Sequence, residues 1–179
     1  VALAPGEQEQ VLAMLEYQFF SKRSVLVRPG NIERQIYFVN KGCLRMYYTD
    51  EQGEEYNICF YPENWWAVDI VSFFKQKRAK YTIQAMEDTE VCCFTLPVLE
   101  ELFVKVPKFE RFFRILIQNG YDLFQRRTIS GLSKSAEERY LEFRKMYPGL
   151  EQRIAQKHVA GYLGITPAFL SMMRKDKSI

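Results

Sequence analysis

Residues 156–175 read QKHVAGYLGITPAFLSMMRK, a spacing that predicts two short helices joined by a tight turn. Helices paired in this way cross steeply. The turn therefore needs a residue free to take positive φ, a small residue must sit where the helices touch, and apolar side chains must tie both to a domain. Gly164 suits the turn, Ala160 the contact, and Val159, Leu163, Ile165, Leu170 and Met173 the anchors. Thr166 is placed to cap the second helix, and Pro167 suits its first turn, where a missing N–H costs nothing. The pattern is a helix-turn-helix. It leaves open whether the outward side chains read DNA.

Upstream, Ser135 to Glu138 reads SAEE, a Ser-x-x-Glu capping box that starts a helix carrying Tyr140, Phe143 and Tyr147 on one side. Pro148-Gly149 ends it. From Arg139 onward the basic residues Arg139, Arg144, Lys145, Arg153, Lys157, Arg174, Lys175 and Lys177 face only the acids Glu142, Glu151 and Asp176. The chain's net charge of +3 is thus concentrated in this unit, which suits an anionic partner.

Before the SGLSKS connector at 130–135, Pro107 opens a helix predicted to run to about Leu132. Phe109, Phe113, Leu116, Gly120 and Leu123 form a heptad-like seam, and Gly120 would admit a second backbone closely. Ile117, Tyr121 and Phe124 make a second apolar face beside it. Two apolar faces want two partners, namely the chain's own β-domain and the same helix of a second subunit. Burial within one chain is the alternative.

From Val25 to Thr95 the pattern changes to short runs, IYFV, CLRMYYT, EYNICFY, YTIQAM and EVCCFT, separated by turn-forming NKG, DEQG, PEN and EDT. Most have no helix between them, so an antiparallel sandwich or barrel is expected. A stripe at 11, 12, 14, 15 and 19 predicts an N-terminal helix over Glu7 to Phe20.

Composition narrows the chemistry. With 179 residues the chain can bury a core in one or two domains. No apolar run approaches the roughly 20 residues of a membrane span, and VALAPGEQEQ is too polar for a signal peptide, so a soluble cytoplasmic protein is expected. Cysteines 43, 59, 92 and 93 lack metal-site spacing and read as reduced, packed thiols, with 92 and 93 on opposite faces of a strand. A single histidine, His158, read as solvated, speaks against a metal-dependent jelly-roll enzyme. No metal or cofactor is expected.

The motifs SAEERYLEF, YPGL and VAGYLGITPAFLS, with YFVNKGCLRMYY and AMEDTEV upstream, resemble the Crp/Fnr family of regulators across almost the whole chain. The resemblance implies an α+β chain in three parts. Residues 1–106 would form an antiparallel jelly roll (double-stranded β-helix) of cyclic-nucleotide-binding type. Residues 107–133 would be the dimerisation helix and linker, with Phe109, Phe113, Leu116, Gly120 and Leu123 at the dimer contact. Residues 134–179 would be a small helix-turn-helix domain acting on promoter DNA, as a homodimer and with RNA polymerase as a partner.

Three departures limit what carries over. The family's phosphate-binding Gly-Glu pair falls on Ala67 and Val68, and Arg78, near the family arginine, precedes Ala79 rather than a hydroxyl residue. Cyclic AMP is therefore not expected. The candidate effector pocket is Asn64, Trp65, Trp66, Ala67, Val68 and Arg78, with Phe73 and Phe74 able to line it for a more apolar ligand. In the recognition helix the usual Glu and Arg are replaced by Ala168 and Met172, which leaves Thr166 and Ser171 for hydrogen bonds and Ala168, Phe169 and Met172 for thymine methyls. Lys157, Arg174, Lys175 and Lys177 would sit near phosphates, and Pro167, at the start of the same helix, is counted with the DNA-binding residues. Few residues follow Lys175, so fewer phosphate contacts and a greater need for dimerisation are expected. The competing reading is a ligand-binding or protein-interaction module that no longer reads DNA, with Phe169 and Met172 as its apolar patch.

Overall fold

The computed structural model describes residues 1–176; Lys177, counted above among the basic residues, lies outside the described residues. In chain order the elements are α1 (Pro5–Ala13), β1 (Glu16–Phe20), β2 (Val25–Val27), β3 (Gln35–Lys41), β4 (Leu44–Thr49), β5 (Glu55–Tyr61) and β6 (Trp66–Ala67). They continue with α2 (Ile70–Lys75), β7 (Thr82–Ala85), β8 (Thr89–Thr95), α3 (Leu96–Lys105) and α4 (Pro107–Ser133). The chain closes with α5 (Ala136–Met146), α6 (Leu150–Arg153), α7 (Gln156–Leu163) and α8 (Pro167–Asp176).

Two four-stranded sheets, ordered β1-β8-β3-β6 and β2-β7-β4-β5, face each other with every pairing antiparallel. Alternation fills the space between them. Tyr37, Val39, Leu44, Tyr61, Ile83, Val91 and Cys93 point inward and are buried. Cys92 points the other way, as neighbours on a strand must.

The outward faces are covered too, each by different helices. Over the first sheet, Phe94, Trp66 and Ile36 meet Leu99 and Leu102 of α3 and Phe109 and Phe113 of α4. Over the second, Phe60, Cys43 and Met86 meet Tyr140, Phe143, Tyr147, Leu150 and Ile154 of the C-terminal helices. The sandwich and the helix-turn-helix unit therefore share one apolar cluster.

The N-terminal helix is shorter than its stripe suggested. It stops at Ala13, and residues 16–20 pair with β8 as an edge strand. EYQFF is rich in aromatics, and cross-strand pairing overrides the helical register there. α4 runs to Ser133, through most of the SGLSKS connector, and Ser135 caps α5 with the reciprocal Glu138 bond, 3.2 and 2.8 Å.

Candidate nucleic-acid interface

The turn between α7 and α8 has the geometry its residues dictate. Gly164 takes φ 67°, in the left-handed region, and closes α7. Ala160 is fully buried where the helices meet, and Val159, Leu163, Leu170 and Met173 are buried with it. The Phe169 amide donates to Thr166 Oγ1 at 3.2 Å, so Thr166 caps α8 as its position suggested. With Leu170 and Met173 facing inward, the opposite side of α8 is fixed. Thr166, Pro167, Ala168, Phe169 and Met172 are exposed, Ser171 and Arg174 are half-buried, and Lys175 is exposed beyond them. Lys157 is exposed at the start of α7.

That unit is seated on β5. A bulge at Ile58 turns Asn57 and Phe60 to the same side of the strand, both toward the helices. Phe60 packs against Phe143, Tyr147 and Tyr162 at ring separations of 6.1, 5.7 and 5.6 Å. Gly161 lets α7 approach closely, since a Cβ there would lie 3.2 Å from both Asn57 Nδ2 and the Glu55 carbonyl. Asn57 Nδ2 donates to the His158 carbonyl at 2.9 Å. Arg127 of α4 donates to the carbonyls of Asn57 at 2.7 Å and Tyr162 at 3.0 Å, and its guanidinium lies on the Tyr162 ring. One side chain thus joins the long helix, the sheet and the helix-turn-helix.

Two charged contacts complete the seat. Arg153, one of the basic residues noted in the sequence, is exposed but already paired with the sheet side. It donates to Glu63 at 2.9 and 2.7 Å and to Glu87, and this holds Glu63 down to about 2. His158 is not solvated either. It is half-buried with Nδ1 3.0 Å from Arg45 Nη1, and Arg45, only 3% exposed, also contacts Glu55, Asn57 and Gln84. Burial first, and then the Arg45 charge, lower the imidazole to about 4.

The lowered His158 value fixes a direction. The unfolded histidine takes up its proton near 6.5 and the folded one only near 4, so the unfolded state binds more protons in between and stability falls as pH drops through that window. Urea midpoints are expected to fall between about pH 6.5 and 5 in the native chain and to stay more nearly level in His158→Gln. Equal slopes for both proteins would refute the burial of this ring.

The residues proposed for an effector do not converge. Trp65 packs on Tyr147 at 5.6 Å, on the helix-turn-helix side, whereas Trp66 stacks on Phe94 and contacts Phe38, Phe112 and Phe113 on the other sheet's outward face. Alternation along the chain separates the two indoles. Asn64 is exposed in a turn at φ 68°, Ala67 is fully buried opposite Tyr37, and Val68 is half-buried. Phe73 is buried and Phe74 half-buried, packed edge to face in the α3–α4 cluster. Arg78 is exposed and donates to the Gly30 carbonyl at 3.2 Å.

The long helix divides its seam. Phe109 and Phe113 are buried in the chain's own core and cannot also meet a partner, so these two of the proposed dimer contacts are reassigned to that core. Leu116 and Leu123 are half-buried, and Gly120 is open, with nothing within 4 Å of a Cβ built there. The face left free is the second one, where Tyr121 is 63% exposed and Phe124 59%. Ile117, Tyr121, Phe124, Thr128 and Gly131 follow the heptad steps along it.

The missed residues are Arg45, Asn57, Arg127, Gly161 and the Glu63–Arg153–Glu87 group. Only the buried strand arginine and the extra glycine in VAGYLG carried a signal for them in the sequence. Among the described residues no helix is long and apolar enough to cross a membrane, and no cluster of three His, Cys, Asp or Glu side chains could hold a metal.

The cyclic nucleotide-binding domain family matches residues 17–105. The chain is 26% identical over 165 residues to regulatory protein HlyX of Actinobacillus pleuropneumoniae, covering 85% of this chain and 67% of that protein. It spans roughly two thirds of the length of the curated relatives it matches, 67%, 64% and 63%. Among solved structures it is similar to FixK2 from Bradyrhizobium japonicum, with a TM-score of 0.78 at 15% identity over 90% of this chain and 83% of that one. A transcriptional regulator of the crp/fnr family from Eubacterium rectale gives a TM-score of 0.74 at 15% identity, over 97% and 83% of the two chains.

Proposed function

We infer that this chain, which belongs to the Crp/Fnr family of DNA-binding transcription regulators, acts as a homodimer that sets two copies of α8 into successive major grooves of a promoter. Residues 1–106, 107–133 and 134–179 then divide the work as sensor, dimer helix and reader. One observation carries the reading: α8 is capped and anchored from behind, and its opposite side is exposed although the unit is seated on the sheet. RNA polymerase fits as the partner that a promoter-bound dimer would meet.

The exposed side is poor in hydrogen-bonding groups. Thr166 and Ser171 are its direct readers, Ala168, Phe169 and Met172 suit thymine methyls, and Lys157, Arg174 and Lys175 suit phosphates. An A·T-leaning, shape-dependent site follows. Ala67 and Val68 stand where the family's Gly-Glu pair would be, and Arg78 donates to the Gly30 carbonyl, so the effector is proposed to be something other than cyclic AMP.

Ala168→Glu with Met172→Arg restores a hydrogen-bonding pair on the groove side. Each good pair is worth about 1–3 kcal/mol of discrimination, so selection from a random-sequence duplex pool is expected to sharpen markedly. An unchanged selection profile would place α8 outside the groove. The second reading, a protein-docking patch, is favoured by the exposure of Phe169 and Met172, 41% and 52%, and would give that unchanged profile.

A further inference from the structure

The first sheet's outward face carries a cavity of about 430 Å³ that the regulatory reading does not use. Its floor is a row set by strand register, Tyr17–Cys92–Phe38–Trp66 across β1, β8, β3 and β6. One wall is α4, through Phe109 and Phe112, and the roof is α1 with Leu12 and Val11. No charged side chain lines it. Asn40, whose Nδ2 lies 2.9 Å from Cys92 Sγ, is its one amide.

We propose that this cavity binds a small uncharged aromatic molecule of one or two rings, as an effector site distinct from the interior of the sandwich. The volume lies in the range of about 300–1,000 Å³ typical of small-molecule sites, which combine apolar walls with few polar groups. The walls are already arranged as ring-on-ring contacts, with Trp66 on Phe94 at 6.1 Å and 12°, and Phe109 on Phe112 at 5.7 Å and 21°. A flat ring extends those stacks, whereas a charged group would lose its water with no charged side chain in return. Entry would be past α1, which is held by one buried residue, Val11, and by the surface pair of Glu7 with Lys108 of α4. A ring seated here touches α4 directly, and α4 runs on to Arg127 and the helix-turn-helix seat. The consequence for regulation rests on the proposed function, but the binding itself does not.

The test titrates the full chain with 1-fluoronaphthalene and follows the fluorine resonance. Saturable broadening with one site per chain is expected, and naphthalene-1-sulfonate is expected to bind at least tenfold more weakly. Cys92→Phe fills the floor, and Leu12→Glu puts a charge at the mouth at a position already 57% exposed, so the fold does not depend on it. Both variants are expected to weaken binding tenfold or more, while Val104→Ser on the exposed side of α3 leaves it unchanged. No saturable binding by the native chain, equal binding of the sulfonate, or undiminished binding by Leu12→Glu would each overturn the proposal. These readouts contain no DNA, so their failure is separate from failure of DNA binding.

Discussion

Tyr121→Glu combined with Phe124→Glu is expected to leave a folded monomer whose affinity for a two-half-site promoter is lower by a factor of a hundred or more. Both side chains are exposed on the free face of α4, so neither change disturbs the core of a single chain. Across a two-fold axis the same face meets itself, and four carboxylates would be brought together there. Linking two half-site contacts ordinarily raises affinity by about 10² to 10⁴, and this is the term that is lost. Sedimentation of the variant gives the assembly state, and fluorescence anisotropy with a labelled duplex gives the affinity. A variant that stays dimeric would move the contact elsewhere. Gly120→Ala is informative beside it, because a Cβ at that site meets nothing within the chain.

Phe60→Ala should be the most damaging single substitution at the seat. The ring is fully buried and borders three aromatic rings of the C-terminal helices. Truncating such a residue costs about 3–5 kcal/mol through lost transfer free energy and the cavity left behind. Urea denaturation followed by circular dichroism is expected to show that loss, together with earlier unfolding of α5–α8. A cost under about 1 kcal/mol would mean that the helices do not rest on β5 in solution.

The sequence was most legible where one residue type has one use. Gly164, Thr166 and Pro167 could serve a helix-turn-helix and little else, and Ser135 with Glu138 could only open a helix. The alternating runs between Val25 and Thr95 likewise carried an antiparallel sandwich, though not the order of its strands, and the edge strand at 16–20 was missed. There, Phe19, counted in the helical stripe, was claimed by β8, a partner distant in sequence.

The effector pocket misled for a related reason. Trp65 and Trp66 are neighbours in sequence and for that reason point apart in space. The seat was hidden because it depends on a bulge at Ile58, which puts Asn57 and Phe60 on one face against strict alternation. Arg153 was counted among the basic residues suited to an anionic partner and Arg127 carried no signal, and only three-dimensional proximity to Tyr162, Glu63 and Glu87 gives them a structural task. Phe109 and Phe113 fitted a dimer seam by spacing, yet the same spacing serves burial against a sheet.

The most direct test of a dimer that grips duplex DNA through α8 is a salt series with the native chain. Anisotropy of a labelled A·T-rich two-half-site duplex, with stoichiometry measured at saturation, should show two chains per duplex. Affinity should fall with a slope near −0.9 for each phosphate contact between about 50 and 200 mM salt. A chain that is monomeric and does not bind the duplex anywhere in that range would contradict the account.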